Sequence, residues 1–287
     1  MTAPQARLLE DGERLHLQHG PIDLIIGVDG ERTTAFELAI HRFENILQEV
    51  VDELPDLRRA VNAQMPEPKG ETARRMYHAA MPFNHVFVTG MAGVAGAVAD
   101  TILVAMSQAH LRRAYVNNGG DIAIYLAEGE SFTTQMSHAD GSVLGQLHVA
   151  SGKGIGGIAT SGRHGRSLSR GIADSVTVVA ADAVTADVTA TLIANAVDLP
   201  RHSAVTRAPA WSVDPGSELG ARLVVTHVDR LQEFEVNRAL DAGEAQAAAM
   251  VRGGQIVGAA LFLQGSHRIV GGGDFLLRQQ KGDEADV

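Results

Sequence analysis

The sequence predicts an α+β fold: a large, mostly antiparallel sheet covered by helices. Three observations carry this. Strand-like and helix-like stretches are mixed, but not in the strict alternation of βαβ units. Residues 113–160 read almost entirely as strand. Gly is 31 of 287 residues and aromatics are only 4%, so the core must be aliphatic and built around small side chains.

The elements follow in order. Residues 22–28 (IDLIIGV) form a buried strand, and Asp29-Gly30 supplies turn chemistry after it. Phe36, Ile40, Phe43, Leu47, Val50 and Leu54 recur at helical spacing, with Glu44, Gln48, Glu49 and Asp52 off the apolar stripe. Pro55 ends or kinks that helix. A loop over 64–70 leads to a helix over 71–81, and 85–89 (HVFVT) suggests a short strand. The stretch 91–110 is helical, and Gly93 and Gly96 imply close packing on another backbone or on a ligand. Strands over 113–117 and 121–126 flank a Gly-Gly turn, and 131–136 and 143–150 alternate as further strands. Residues 151–171 form a Gly/Ser-rich loop, followed by a strand over 175–181 and a helix over 183–197. A polar linker over 199–219 precedes a strand (221–228), a helix (235–250), a hairpin (255–262 and 267–271) and a charged tail from Gln279. The whole reads as one domain over 1–287, with two lobes of about 1–198 and 220–278 on either side of the linker.

Composition excludes several functions. The formal charge of −10 opposes a nucleic-acid surface. The absence of Cys excludes a disulfide framework, a thiolate metal site and a cysteine nucleophile. No apolar stretch approaches the roughly 20 residues of a membrane span, and the N-terminal segment lacks a signal-peptide apolar region. A soluble, cytoplasmic protein is expected.

Three segments can carry chemistry. In Val116-Asn117-Asn118-Gly119-Gly120-Asp121-Ile122 the glycines serve a tight hairpin. They would equally let a flat ligand approach the backbone, with Asp121 accepting its hydrogen bonds. The window 141–173 contains no Asp or Glu but holds Lys153, Arg163, Arg166, Arg170, His148 and His164 among glycines and serines. Backbone N–H groups, hydroxyls and guanidiniums of this kind suit an anion such as a pyrophosphate, where the plain alternative is a solvated basic loop. Its Gly152-x-Gly154-x-x-Gly157 spacing is no dinucleotide fingerprint, because no helical period follows. Finally, Asp187 and Thr191 fall on one helical face and offer hard oxygen ligands for Mg²⁺. A helix-dipole role for Asp187 explains the same residue more simply.

Together these segments resemble the ApbE-like superfamily, whose characterised members are FAD:protein FMN transferases. The matching pieces are GVAGAVAD (93–100), VNNGGDI (116–122), ATSG (159–162) and DSVTVVAADAVTADVTATLIAN (174–195). Through GPIDLII (20–26) and MAGVAGAVADTIL (91–103) the chain is most similar to the uncharacterised branch of that superfamily. The resemblance implies a T-fold-like structure with FAD in a cleft and Mg²⁺ on its pyrophosphate. It implies Asp187, Thr191 and a main-chain carbonyl near Ala159 as metal ligands. It puts Asn118, Gly119, Gly120, Asp121, Thr160, Ser161, Gly162 and Arg163 at the flavin nucleotide. A Thr or Ser hydroxyl of an acceptor protein would receive FMN, and a homo-oligomer is expected. One position departs. The transferases carry H-x-x-D-P before the V-T-V-V strand; here Gly171 takes the His position, Asp174 is kept and Ser175 replaces Pro. His164 is the nearest substitute base in sequence. Two alternatives stay open: an enzyme acting on a different anionic or heterocyclic small molecule, or a non-catalytic binding or assembly protein whose Ala/Gly-rich helix is a dimer seam.

Overall fold

The computed structural model describes residues 3–137, 141–165 and 167–277. Arg166 of the basic window and the tail from Gln279 lie outside them. Among the described residues fourteen strands occur: β1 (Gln5–Leu8), β2 (Arg14–His19), β3 (Ile22–Gly30), β4 (Leu111–Asn118), β5 (Asp121–Leu126), β6 (Ser131–Ser137), β7 (Val143–Ala150), β8 (Gly157–Ser161), β9 (Ser175–Ala180), β10 (Val205–Pro209), β11 (Leu223–Val228), β12 (Gly258–Leu263), β13 (Ser266–Gly271) and β14 (Asp274–Leu277). Seven helices accompany them: α1 (Arg32–Asp52), α2 (Leu54–Leu57), α3 (Glu71–Ala80), α4 (Val94–Met106), α5 (Ala183–Ala196), α6 (Ala210–Val213) and α7 (Glu233–Arg252).

The architecture is the predicted α+β arrangement. Nine strands form one sheet in the order β1-β2-β3-β4-β5-β8-β9-β12-β13, antiparallel at every neighbouring pair. Side chains alternate across it. In β9, Val176 and Val178 enter the helix-side core while Val179 enters the core on the opposite face. That opposite core is closed by the small sheet β14-β7-β6, through Leu147, Val149 and Phe275 against Ile122, Ile124 and Phe262. β9 is therefore buried along its whole length, which is why its sequence is a continuous apolar run.

Several elements differ from the sequence expectation. Residues 85–89 make a single bridge, Ala60 to Thr89, and a 3₁₀ turn over Gly90–Gly93 follows. The helix predicted from 91 thus begins at Val94. The Gly/Ser-rich window contains β8, and the polar linker contains β10 and α6. β2 carries a weak strand signal because charges flank it, although Leu15 and Leu17 are buried on alternate positions. Within 220–278, β12 and β13 extend the main sheet beside β9. Among the described residues no helix is long and apolar enough to cross a membrane.

Candidate functional site

The site begins where α4 crosses α5. A Cβ on Gly96 would lie 2.3 Å from the Ala183 carbonyl, and one on Gly93 would strike Val184 and Val188. The small residues of α4 thus bring two backbones together inside one chain. This close approach lets each helix serve the other's N-terminus, where backbone N–H groups lack intrahelical partners. Asp100 on α4 accepts from the Ala183 and Val184 N–H groups of α5, at 3.0 and 2.8 Å. Asp187 on α5 accepts from the Gly96 N–H of α4 at 3.0 Å. Burial pushes the Asp100 carboxyl up to about 7, against the pull of those two N–H groups.

The β4–β5 hairpin abuts the same place. Gly119 and Gly120 have φ of +66° and +117°, which suits a two-residue turn and favours glycine. Asn118 is buried and donates from Nδ2 to the Ala95 carbonyl at 3.1 Å, so the hairpin is pinned to the first turn of α4. Asp121 accepts from the Thr160 N–H at 3.2 Å, across the end of the β5–β8 ladder. Burial pushes the Asp121 carboxyl up to about 7. Asp187 is raised well above the ordinary range by burial first and by the charge of Asp121 second. Two carboxylates therefore converge beside the α4 N-terminus. Among the described residues neither has a cationic side chain in ion-pair range. Ala159 lies next to Thr160 in β8, and Thr191 follows Asp187 by one helical turn. Among the described residues no group of three or more His, Asp or Glu is arranged around a metal-sized point.

A second group forms where β8 ends. Arg163 clasps Asp174 through Nε and Nη2, at 2.8 and 2.7 Å from Oδ1. His164 Nε2 lies 3.5 Å from the same oxygen. The Gln264 N–H donates to the other carboxylate oxygen. Gln264 has φ of +44°, a region unusual for a residue with a side chain. Its side chain is held by the Leu231 N–H and the Asp229 carbonyl. Sequence reading missed Gln264, since a lone Gln in a hairpin carries no signal. The Arg163 guanidinium, expected at a nucleotide, is engaged by Asp174. Gly162, with φ of +152°, packs on the Asp174 carbonyl, where a Cβ would come within 2.6 Å.

Gly171 has no room for a side chain. A Cβ there would lie 2.0 Å from the Ala194 carbonyl oxygen and 2.8 Å from that of Val197. The position expected to correspond to the transferases' His is thus pressed against the C-terminal turn of α5. Gly156 and Gly157 likewise pass beneath Ala181–Ala183, so these glycines serve strand–helix packing. An open cleft of about 490 Å³ at the start of α5, lined by Arg74, Arg75, His78 and Asp182 among others, contains none of the predicted site residues.

A family model described as AbpE bacteria matches residues 6–269. The chain belongs to this family, within the ApbE-like superfamily. An UPF0280 protein of Methanothrix thermoacetophila is 38% identical over 135 residues, covering 43% of this chain and 51% of the relative. One from Methanopyrus kandleri is 35% identical over 182 residues, covering 59% and 69%. The chain spans about half the length of the first curated relatives it matches. Solved ApbE structures also align. The ApbE protein of Thermotoga maritima is 15% identical, with a TM-score of 0.43 over 81% of this chain and 99% of that one. The flavinyl transferase ApbE of Pseudomonas stutzeri is 12% identical, with a TM-score of 0.45 over 95% of each.

Proposed function

We propose that this chain is a Mg²⁺-dependent flavin-nucleotide enzyme that takes FAD as substrate and transfers FMN to a Thr or Ser hydroxyl of an acceptor protein. The observation that carries the reading is the convergence of Asp121 and Asp187 with no cationic side chain in ion-pair range among the described residues. Membership of the ApbE-like superfamily supports the reaction class. The donor set suits the metal. Asp187, Thr191 and the main-chain carbonyl of Ala159 offer hard oxygens, and Mg²⁺ needs only one or two carboxylates because it keeps several waters. When bound it would supply positive charge to the pyrophosphate oxygens as AMP departs.

The remaining roles belong to the chain itself. Asn118 anchors the hairpin, so Gly119, Gly120 and Asp121 offer a flat ligand backbone groups and one carboxyl. Thr160, Ser161 and Gly162 continue that wall along β8, and Asp174 steadies Arg163 at its end. His164 is the base. Its Nε2 faces Asp174, which leaves Nδ1 to accept the hydroxyl proton. The acceptor O–H bond breaks as the new O–P bond forms. The P–O bond to AMP breaks, and AMP leaves with the electron pair.

A second reading rests on Gly171. With no space for a side chain at the family His position, the same fold would act on a different anionic or heterocyclic small molecule. Purified protein incubated with FAD, Mg²⁺ and an acceptor peptide tests both. Retained flavin, AMP release and a labelled peptide, all lost in Asp187→Asn, support FMN transfer. Flavin retention with an unlabelled peptide favours the second reading. Absence of retained flavin, thermal shift and AMP release would sink the flavin assignment.

A further inference from the structure

Beyond the C-terminal end of α5, three arginines gather from segments far apart in sequence. Arg207 on β10 donates through Nη1 to the Arg170 carbonyl at 2.6 Å and pairs through Nη2 with Asp198. Arg222 precedes β11, and the two strands are joined by antiparallel pairing. β11 is fastened to the basic window by the Val225 N–H, which donates to the Ser169 carbonyl at 2.8 Å. The Arg222 guanidinium lies over the Phe87 ring, 3.3 Å from its centroid. Among the described residues neither Arg170 nor Arg222 forms a side-chain hydrogen bond or an ion pair. Burial and the charges of Arg222 and Arg207 together pull the Arg170 pKa down, with Asp198 opposing them.

This arrangement is costly without a partner. Among the described residues three like charges share one carboxylate, and that carboxylate is taken by Arg207. Capping of the α5 C-terminus does not explain it, because the Arg207 bonds run to Arg170 and Asp198. The Arg222 guanidinium is held by a ring and that of Arg207 by a main-chain carbonyl, so these planar groups are pre-organised to grip an oxyanion beside Arg170. We propose that Arg170, Arg207 and Arg222 form a binding site for an oxyanion, of the phosphate or carboxylate class, distinct from the Asp121–Asp187 pair. The two places are linked by one face of α5. Asp187, Thr191 and Asn195 succeed one another at four-residue spacing, and Asn195 Oδ1 accepts the Arg170 N–H at 2.9 Å. That face covers roughly 12 Å at 1.5 Å per residue, so a ligand joining both places needs that reach. The proposal stands whether or not the ligand is a flavin.

The test uses the intact chain and inorganic phosphate at constant ionic strength, read by calorimetry. Trp211, the single tryptophan, lies between Arg207 and Arg222 in sequence and gives a second readout by fluorescence. One site is expected, with affinity falling at least tenfold in Arg170→Ala and in the exposed Arg222→Gln, each compared with wild type at matched thermal stability. It should persist in Asp187→Asn, which separates this site from the proposed metal site. No phosphate binding, or equal binding by wild type and both arginine variants, would overturn the proposal. Riboflavin and FMN then identify the source. A preference for FMN that disappears in Arg222→Gln assigns the oxyanion to the flavin's own phosphate. Equal binding of the two flavins assigns it to a different anion.

Discussion

Substitution of Gly171 by Ala tests the packing that separates this chain from the transferase pattern. The added Cβ meets three main-chain atoms: the Ala194 oxygen at 2.0 Å, the Asn195 Cα at 2.8 Å and the Val197 oxygen at 2.8 Å. None is the tip of a flexible side chain, so the 171 segment must withdraw from α5. Overpacking of this kind costs about 1–3 kcal/mol, and contact with backbone puts it at the upper end. Withdrawal also stretches the Ile172 N–H bond to the Val197 carbonyl, now 2.8 Å, which adds about 1 kcal/mol. The expected loss is therefore about 3–4 kcal/mol, or a melting point lowered by roughly 6–15 °C for a domain of this size. Urea denaturation and calorimetry at pH 7.5 would measure it. A variant within about 0.5 kcal/mol of wild type would refute the packing argument. Gly171→His is expected to be worse, so introducing the transferases' His should not raise AMP release.

Three further outcomes follow from the carboxylates. For Asp121, raised to about 7, the folded chain keeps a proton that the unfolded chain loses above the ordinary Asp range. Metal-free stability should thus fall as pH rises from about 4 to 7 and stay low above it. Asp121→Asn should make that slope shallower, leaving the share of Asp100, and gain roughly 2 kcal/mol at pH 8, after discounting for solvent access; denaturation in EDTA at pH 5 and 8 checks it. Asp100→Ala leaves two buried N–H groups of α5 without acceptors and should cost about 2–4 kcal/mol in urea titrations. Asp174→Asn removes the charge that pairs with Arg163 and puts an amide in place of one carboxylate oxygen, and should cost about 2–4 kcal/mol. In the turnover assay it should lower AMP release more than flavin retention.

Much of the architecture is legible because burial and sequence pattern coincide. The 4-3-4-3-4 spacing from Phe36 to Leu54 and the apolar run of β9 each have one physical reading. Elements whose partners are remote are illegible. HVFVT has strand-like residues, yet among the described residues it finds only one bridging partner, and Val88 is buried in the helix-side core. β8 hides in a glycine-rich window because Gly156 and Gly157 are there to pass under α5. At the site, VNNGGDI and the Asp187–Thr191 face could be read locally. The engagement of Arg163 by Asp174, the contact of Gln264 and the grouping of Arg207 and Arg222 with Arg170 depend on strands far along the chain. No local pattern announces them.

The exchange of caps between α4 and α5 makes their docking an all-or-none event. Asp100 has its two N–H partners only if α5 is in place, and Asp187 has Gly96 only if α4 is. Each helix would hold the other's latch, so neither end can fray alone. The amides of Gly96, Ala183 and Val184 should exchange with solvent as a single cooperative unit. A ligand that draws on the Asp187 carboxylate would then alter amide protection at both helix starts, including residues it never touches.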